Sequence, residues 1–231
     1  MKPLDISLKF WSLAAVGILT VILVSNSYQG RKEVFENVYR NKEWGVNSSE
    51  VGHSGIGSTM ENTKIYRFFL QDFLAAKKIH SVVDAGCGDW EFSKSIDWSG
   101  INYSGYDIVE SLIAENKKRY GASNIHFFAC DIVNTQLPPA DLLIVKDVLQ
   151  HLPNKDILGF LKQLPKYKHV LITNGVDTRS LSAKNEPDIA AGGRYRPLDL
   201  TLPPFSLPMV KILAWANGGD AKLVLYQENE K

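Results

Sequence analysis

The stretch Val82-Val83-Asp84-Ala85-Gly86-Cys87-Gly88-Asp89-Trp90 constrains the fold more than any other part of the chain. An apolar run ends in an acid, and a glycine-bearing turn follows at once. A buried parallel strand that delivers its backbone into a ligand-binding loop reads this way. Glycine supplies the tight turn and lets a ligand lie against the main chain. With residues 79–84 as the first strand, residues 102–106, 125–129, 141–145 and 169–173 read as further strands. They end at Asp107, Cys130-Asp131, Lys146-Asp147 and Asn174-Gly175. Residues 91–96, 109–119 and 154–163 read as intervening helices, the first with its N-terminal dipole towards the ligand.

Strands alternating with helices predict a parallel sheet covered on both faces, with ligands at the carboxyl ends of its strands. An acid at one strand end often just caps the next helix. Asp84, Asp107 and Asp131 at successive ends are better explained by a shared ligand. Residues 176–208 then turn polar and proline-rich, a length of loop that is usually functional or disordered. Residues 210–215 and 222–227 flank Asn217-Gly218-Gly219-Asp220 and predict an antiparallel hairpin. The expected fold is therefore α/β and Rossmann-like: a doubly wound, mostly parallel seven-stranded sheet with an antiparallel C-terminal hairpin.

Upstream, residues 6–24 form an apolar run with one charge, Lys9, just long enough at ~1.5 Å per residue to cross a bilayer core. An uncleaved single-pass anchor is the first reading. Lys2 and Lys9 also suit the start of a signal peptide, although Val24-Ser25-Asn26-Ser27 offers no Ala-x-Ala cleavage site. Arg31, Lys32, Arg40 and Lys42 lean the domain that follows towards the cytoplasmic side. The chain thus divides into an anchor or signal segment (1–29), a helical, glycine-rich lid region (30–78) and a ligand-binding domain (79–231). In the lid region, Val34, Phe35, Val38 and Tyr39 have helical spacing, and Ser54-Gly55-Ile56-Gly57-Ser58 is the candidate lid. Residues 63–78 form a helix whose stripe of Ile65, Phe68, Phe69, Phe73 and Leu74 should pack on the sheet. Tyr66 and Arg67 beside it are packing or surface residues.

A net charge of +1 offers nothing to a nucleic-acid partner. Two cysteines, Cys87 and Cys130, exclude a disulfide framework and a cysteine-rich zinc site, and both read as small core residues. No metal is called for. The dinucleotide fingerprint needs a third glycine at the position held by Glu91, which disfavours a nicotinamide enzyme.

From residue 79 to residue 227 the sequence resembles the class I S-adenosylmethionine-dependent methyltransferases, on Val82-Val83-Asp84-Ala85-Gly86-Cys87-Gly88, Asp107, Cys130-Asp131 and the closing hairpin. Trp44-Gly45, Gly88-Asp89-Trp90 and residues 146–151 look like a bacterial and viral branch of that family. The resemblance implies S-adenosylmethionine as cofactor, with Gly86, Cys87 and Gly88 against its methionine part and Asp84 near the ammonium group. It also implies Asp107 on the ribose hydroxyls, Asp131 on the adenine amino group and Ile132 against the ring. Lys146, with Asp147 and Val148, would line the methyl-donor side. Trp90 departs from the family, which commonly has a third glycine there. Its ring would alter the loop or pack over the cofactor.

Methyl transfer needs a base only when the acceptor loses a proton during attack. Asp147 and His151, four residues apart, are the candidates, set against plain structural roles as a cap and a helix-start residue. Arg194, Tyr195 and Arg196 suit an anionic or sugar acceptor, or a solvated loop. The expected activity is methyl transfer to an oxygen or nitrogen of an unidentified acceptor, a small molecule or a membrane-associated one. The alternatives are a non-catalytic binder of the same cofactor and a nucleotide-dependent oxidoreductase of similar fold.

Overall fold

The structure, a computed structural model, describes residues 30–46, 53–177, 184–189, 193–217 and 220–230. The expected N-terminal hydrophobic segment, residues 6–24, lies outside them. Among the described residues, no helix is long and apolar enough to cross a membrane.

Seven strands form one sheet in the order β3-β2-β1-β4-β5-β7-β6. They are β1 (Ser81–Ala85), β2 (Asn102–Asp107), β3 (Ile125–Ala129), β4 (Leu142–Lys146), β5 (His169–Val176), β6 (Val210–Asn217) and β7 (Asp220–Glu228). The first five run parallel, and β7 joins antiparallel to β5 and β6. The chain order reverses between β1 and β4, so the crevice for a ligand opens above the carboxyl ends of these two strands.

Alternation along the strands builds two cores. Val83, Ala85, Leu143, Val145, Val170 and Ile172 face one side, with Ile157 and Phe160 of α4 (Asn154–Leu161). Val82, Leu142, Ile144 and Leu171 face the other. There they meet Leu70 of α2 (Lys64–Ala76) and Ile113 of α3 (Glu110–Tyr120). A strand covered on both faces is apolar at successive positions, which is why β4 reads as an unbroken run.

Two expectations are corrected. The buried face of α2 is Tyr66, Leu70 and Leu74, while Ile65 and Phe68 are exposed. The i, i+4, i+8 ridge is the one that docks, and Tyr66 supplies more buried area there than Ile65 could. Residues 91–96 form no α-helix, only a 3-10 turn at Ser93–Ser95. Side chains take the carbonyls that a helix would use: Ser95 Oγ donates to Phe92 O (2.7 Å) and Trp98 Nε1 to Ser93 O (2.9 Å). No helix dipole faces the crevice from this segment.

A helix over residues 30–40, α1, lies across the carboxyl ends of the strands. Its Arg31 guanidinium pairs with Asp131 after β3 (2.8 Å) and with Asp156 of α4 (2.5 Å), all three groups buried. Lys32 pairs with Glu110 at 2.5 Å. Gly193 (φ +94) fits beneath α1, where a Cβ would stand 2.8 Å from Val34 Cγ1.

Candidate active site

One cavity opens between α1 and the strand ends. The residues assigned from the sequence to the cofactor and to a base all line it: Asp84, Gly86, Cys87, Gly88, Asp107, Asp131, Ile132, Lys146, Asp147 and His151. Arg31, Phe35, Tyr39 and Trp44 close it from the α1 side, with Ser54 and Ser58.

The loop after β1 is built for close approach. Gly86 adopts φ +88, and a Cβ there would lie 2.3 Å from Val148 Cγ2. Gly88 adopts φ +54, and its Cβ would lie 2.2 Å from Ser54 Oγ. Both cradles exist only because these residues lack side chains. Trp90 also takes a left-handed conformation, φ +58, so the loop keeps the geometry a third glycine would allow. Its indole turns away from the cavity and packs against Tyr120 (4.9 Å), Phe127 (5.3 Å) and Tyr103 (5.5 Å). Trp90 therefore neither alters the loop nor covers the cofactor pocket.

The lid segment is tied to this loop. Ser54 Oγ donates to Asp89 Oδ1 (2.9 Å), accepts from Asp89 N (2.9 Å) and shares a hydrogen bond with Tyr39 Oη (2.7 Å).

Three of the carboxylates on the walls, Asp84, Asp107 and Asp131, are each held by protein donors. Asp84 accepts from Tyr103 Oη (2.6 Å), and its burial pushes its pKa up to about 7 against that hydrogen bond. Asp107 Oδ2 accepts from Gly88 N and Oδ1 from Val109 N, both at 3.0 Å. Burial raises the Asp107 pKa, with those N–H groups opposing it. Each oxygen keeps a lone-pair site for one more donor, the arrangement a ribose diol needs. Asp131 Oδ2 is filled by Arg31 and Asn134 Nδ2, while Oδ1, among the described residues, accepts from Val133 N alone (3.0 Å). One lone-pair site thus remains there for a donor such as an adenine amino group. The residues present fit S-adenosylmethionine on both counts: the glycine cradles and the spare acceptor sites.

At the opposite wall, Asp147 closes β4 with φ +60 and lies between two lysines. Lys146 Nζ donates to Oδ2 and Lys222 Nζ, from β7, to Oδ1, each at 2.5 Å. Burial would raise the Asp147 pKa, but the two ammonium groups outweigh it and hold it below the ordinary value. Lys146 Nζ also donates to Gly57 O (2.9 Å) and lies over the rings of Phe92 and Tyr66. His151 sits on a 3-10 turn, Leu149–His151, not an α-helical one. Gly175 N donates to Gln150 Oε1 (2.6 Å), which turns the Gln150 amide nitrogen towards His151 Nε2 (3.2 Å). Nε2 is therefore the acceptor, and Nδ1–H points at Arg194 O (3.3 Å). Burial drives the His151 pKa down to about 4 despite the Asp147 charge, and its ring packs on Trp44 at 4.9 Å.

Arg194, Tyr195 and Arg196 do not line this cavity. Arg196 is turned inward, donating to Leu152 O (3.1 Å) and Asn154 Oδ1 (2.6 Å), and it braces the start of α4. Tyr195 Oη donates to Asp220 (3.0 Å). Neither stands ready for an acceptor. Sequence reasoning missed Arg31 and Trp44, which line the cavity, and Lys222, which backs Asp147 from behind it. A basic residue opening an amphipathic helix was visible at Arg31, but its partners 100 and 125 residues away were not.

The methyltransferase-domain family matches residues 82–168, from β1 to the start of β5. No curated protein matches the sequence. Among solved structures, the chain is similar to the magnesium protoporphyrin IX methyltransferase of Synechocystis PCC 6803 with bound S-adenosylhomocysteine. The TM-score is 0.60 at 16% identity, covering 86% of this chain and 98% of that one. It is also similar to the N-methyltransferase NodS of Bradyrhizobium japonicum WM9 in complex with S-adenosylhomocysteine, with TM-score 0.59, 14% identity and coverage of 84% and 100%. Likeness at this identity shows the fold, and the strand order β3-β2-β1-β4-β5-β7-β6 is its signature here. Residues 82–168 thus match a methyltransferase-domain family, and the strand order gives the chain the fold of the class I S-adenosylmethionine-dependent methyltransferases.

Proposed function

We propose that the protein transfers the methyl group of S-adenosylmethionine to an oxygen or nitrogen atom of a small-molecule acceptor by in-line displacement. The observation that carries this reading is the convergence on one cavity of two Cβ-intolerant glycines and three strand-end carboxylates with acceptor sites to spare. When bound, the cofactor supplies an activated methyl group on a sulfonium. The protein's task is then mostly positioning.

Gly86, Cys87 and Gly88 bed the methionine part, with Asp84 towards its ammonium group. Asp107 takes the ribose hydroxyls, and Asp131 with Ile132 takes the adenine. Lys146, Asp147 and His151 stand on the acceptor side. Asp147 spaces the two lysines, and His151 presents a neutral, buried ring against Trp44. α1 and Ser54 exclude water from above. The proteins of this fold named above are a magnesium protoporphyrin IX methyltransferase and an N-methyltransferase, which supports an acceptor other than nucleic acid.

The apolar run at residues 6–24 and the basic residues that follow support a single-pass anchor that holds the domain at the cytoplasmic face of a membrane. Alkaline carbonate extraction should leave the full-length chain in the membrane pellet. Release into the supernatant would remove this placement.

Calorimetric titration of the full-length chain with S-adenosylmethionine tests the cofactor reading, with NAD as control. Binding is expected for the methyl donor alone, weakened roughly a hundredfold in Asp107→Ala, the loss expected when two charge-assisted hydrogen bonds go. No binding by the folded wild-type chain would overturn the assignment.

A further inference from the structure

Arg31 does more than fasten α1. Its Nε (3.2 Å) and Nη2 (2.8 Å) both donate to one oxygen of Asp131, Oδ2, which also accepts from Asn134 Nδ2 (2.8 Å). Three donors saturate a carboxylate oxygen and leave it nothing to offer a ligand. The other oxygen, Oδ1, accepts from Val133 N (3.0 Å) and, among the described residues, from nothing else. Arg31 and Asp131 both line the cavity, at 8% and 4% exposure. Asp131 thus presents one acceptor site to the cavity, and the side chain that closes its other oxygen comes from α1.

The terminal torsion of an aspartate is broad, so its carboxylate turns unless both oxygens are tied. Val133 N and Asn134 Nδ2 hold Asp131 by one bond each, from residues beside it in the chain. Arg31 adds two more from a distant element, and its own Nη1 is fixed on Asp156 Oδ2 (2.5 Å). A guanidinium is planar, so it sets the direction of its partner as well as supplying charge. One turn further along α1, Phe35 lines the same cavity and packs on the apolar cluster of Ile132 and Leu152. Docked α1 therefore supplies both a fixed carboxylate and a dry wall around it. Such a site discriminates strongly, because a mismatched ligand group finds no water to replace the bond it lacks.

We propose that Arg31 is a positioning residue that sets cofactor specificity: by closing Asp131 Oδ2 it leaves Oδ1 as the acceptor for the adenine amino group and makes the site reject a 6-oxo purine. The inference rests on the methyltransferase reading, which brings an adenine to Asp131, and deepens it. A 6-amino group donates to Oδ1, whereas a 6-oxo group sets acceptor against acceptor. With Oδ2 saturated, Asp131 cannot turn away from that contact without giving up the guanidinium. Without Arg31, Oδ2 keeps the Asn134 donor, the carboxylate is free to turn, and water reaches it past the undocked helix. The ratio of the two affinities then collapses, which loosening α1 with the fork left in place would not cause.

The test is calorimetric titration of the full-length chain in mild detergent with S-adenosylhomocysteine and with S-inosylhomocysteine, its 6-oxo analogue. Wild type should prefer the adenine compound by roughly a hundredfold or more. In Arg31→Leu the preference should shrink to about tenfold or less, and in Arg31→Lys, which keeps charge but loses the fork, it should fall between. Asp156→Asn loosens α1 while leaving the Arg31–Asp131 fork, so it should weaken both compounds by the same factor and keep the wild-type preference. Should Arg31→Leu bind too weakly to measure, Arg31→Lys against Asp156→Asn makes the same comparison. A preference kept in both Arg31 variants, or lost as fully in Asp156→Asn, would reduce Arg31 to a fastener of α1 and overturn the proposal. Equal binding of the two compounds by wild type would also overturn it, while leaving the methyltransferase reading intact. Failure of wild type to bind S-adenosylhomocysteine would remove both.

Discussion

Replacing Arg31 by Leu should detach α1 without unfolding the sheet. The guanidinium makes three charge-assisted hydrogen bonds: Nε (3.2 Å) and Nη2 (2.8 Å) to Asp131, and Nη1 (2.5 Å) to Asp156. Side-chain exposures of 7%, 4% and 11% put the whole triad out of reach of solvent screening. Removing one partner of a buried pair costs about 3–5 kcal/mol, because it leaves uncompensated charge behind. Asp131 retains the Val133 and Asn134 donors, whereas Asp156 loses the partner the structure gives its side chain. The lower end, about 3 kcal/mol, is therefore the better expectation.

That cost falls on docking. An isolated helix as short as residues 30–40 is marginal in water, so α1 is helical because it is held down. With Arg31→Leu, the open population should rise by roughly two powers of ten. Native-state amide hydrogen exchange reads this directly. Protection at residues 34–44 should fall about a hundredfold, while β1 and β4 exchange at their original rates. Dissociation of the bound methyl donor should speed up with it, and Arg31→Lys, which keeps charge but loses the fork, should fall between. A fall of less than about tenfold in α1 would refute the buried-pair argument. An equal fall in α1 and the sheet would refute its independence.

Two other perturbations follow from the loop after β1. Gly86→Ala should cost about 1–3 kcal/mol of stability and abolish most cofactor affinity, because the new methyl meets Val148 at 2.3 Å in a left-handed backbone. Thermal melting and calorimetry check it, and wild-type affinity in the variant would show that the cradle is not used. For Asp84, a native pKa of about 7 lies above an ordinary 3.8, so the folded state binds the proton more tightly than the unfolded one. That contribution is complete below pH ~4 and lost as pH rises to ~7, so stability should decline across this window by on the order of 4 kcal/mol, and Asp84→Asn should remove the decline. Urea denaturation at pH 5 and pH 8 measures it, and an unchanged pH slope in the variant would assign the proton elsewhere.

The parallel sheet was legible because its strands are buried on both faces and end in acids. Leu142 to Val145 are all fully covered, and Asp84, Asp107 and Asp131 reappear on the walls of one cavity. Periodicity failed where side chains compete for the backbone. Residues 91–96 carry enough apolar residues for a helical turn, yet Ser95 and Trp98 capture the carbonyls. It failed again on α2, where Ile65 and Phe68 look as buriable as Tyr66 and Leu70, and only the neighbouring sheet decides which ridge docks. At Trp90 the sequence rule and the structure agree on the backbone and differ on the residue. The loop needs a positive φ, and the indole offsets that local cost, about 1–2 kcal/mol, by filling a cluster formed with Tyr103, Tyr120 and Phe127.

The side of the cavity around Asp147 was the least legible part, for a physical reason. Cofactor recognition is local, since each acid sits at the end of its own strand and close in sequence to the loop it serves. The wall around Asp147 is assembled across the chain. Lys222 meets Asp147 over a separation of 75 residues, because the antiparallel β7 starts where the parallel β5 ends. Arg194 and Arg196, basic and set in a polar loop, drew attention, whereas Lys222, the partner of Asp147, sits inside a strand and drew none. Exposure of charge in a loop is cheap and carries little information, whereas a lysine 6% exposed at a strand start must have a partner or a ligand. That criterion, applied to the folded chain, accounts for Lys146 and Lys222 through their shared partner Asp147, and for the Arg196 Nη2 group through Leu152 O and Asn154 Oδ1.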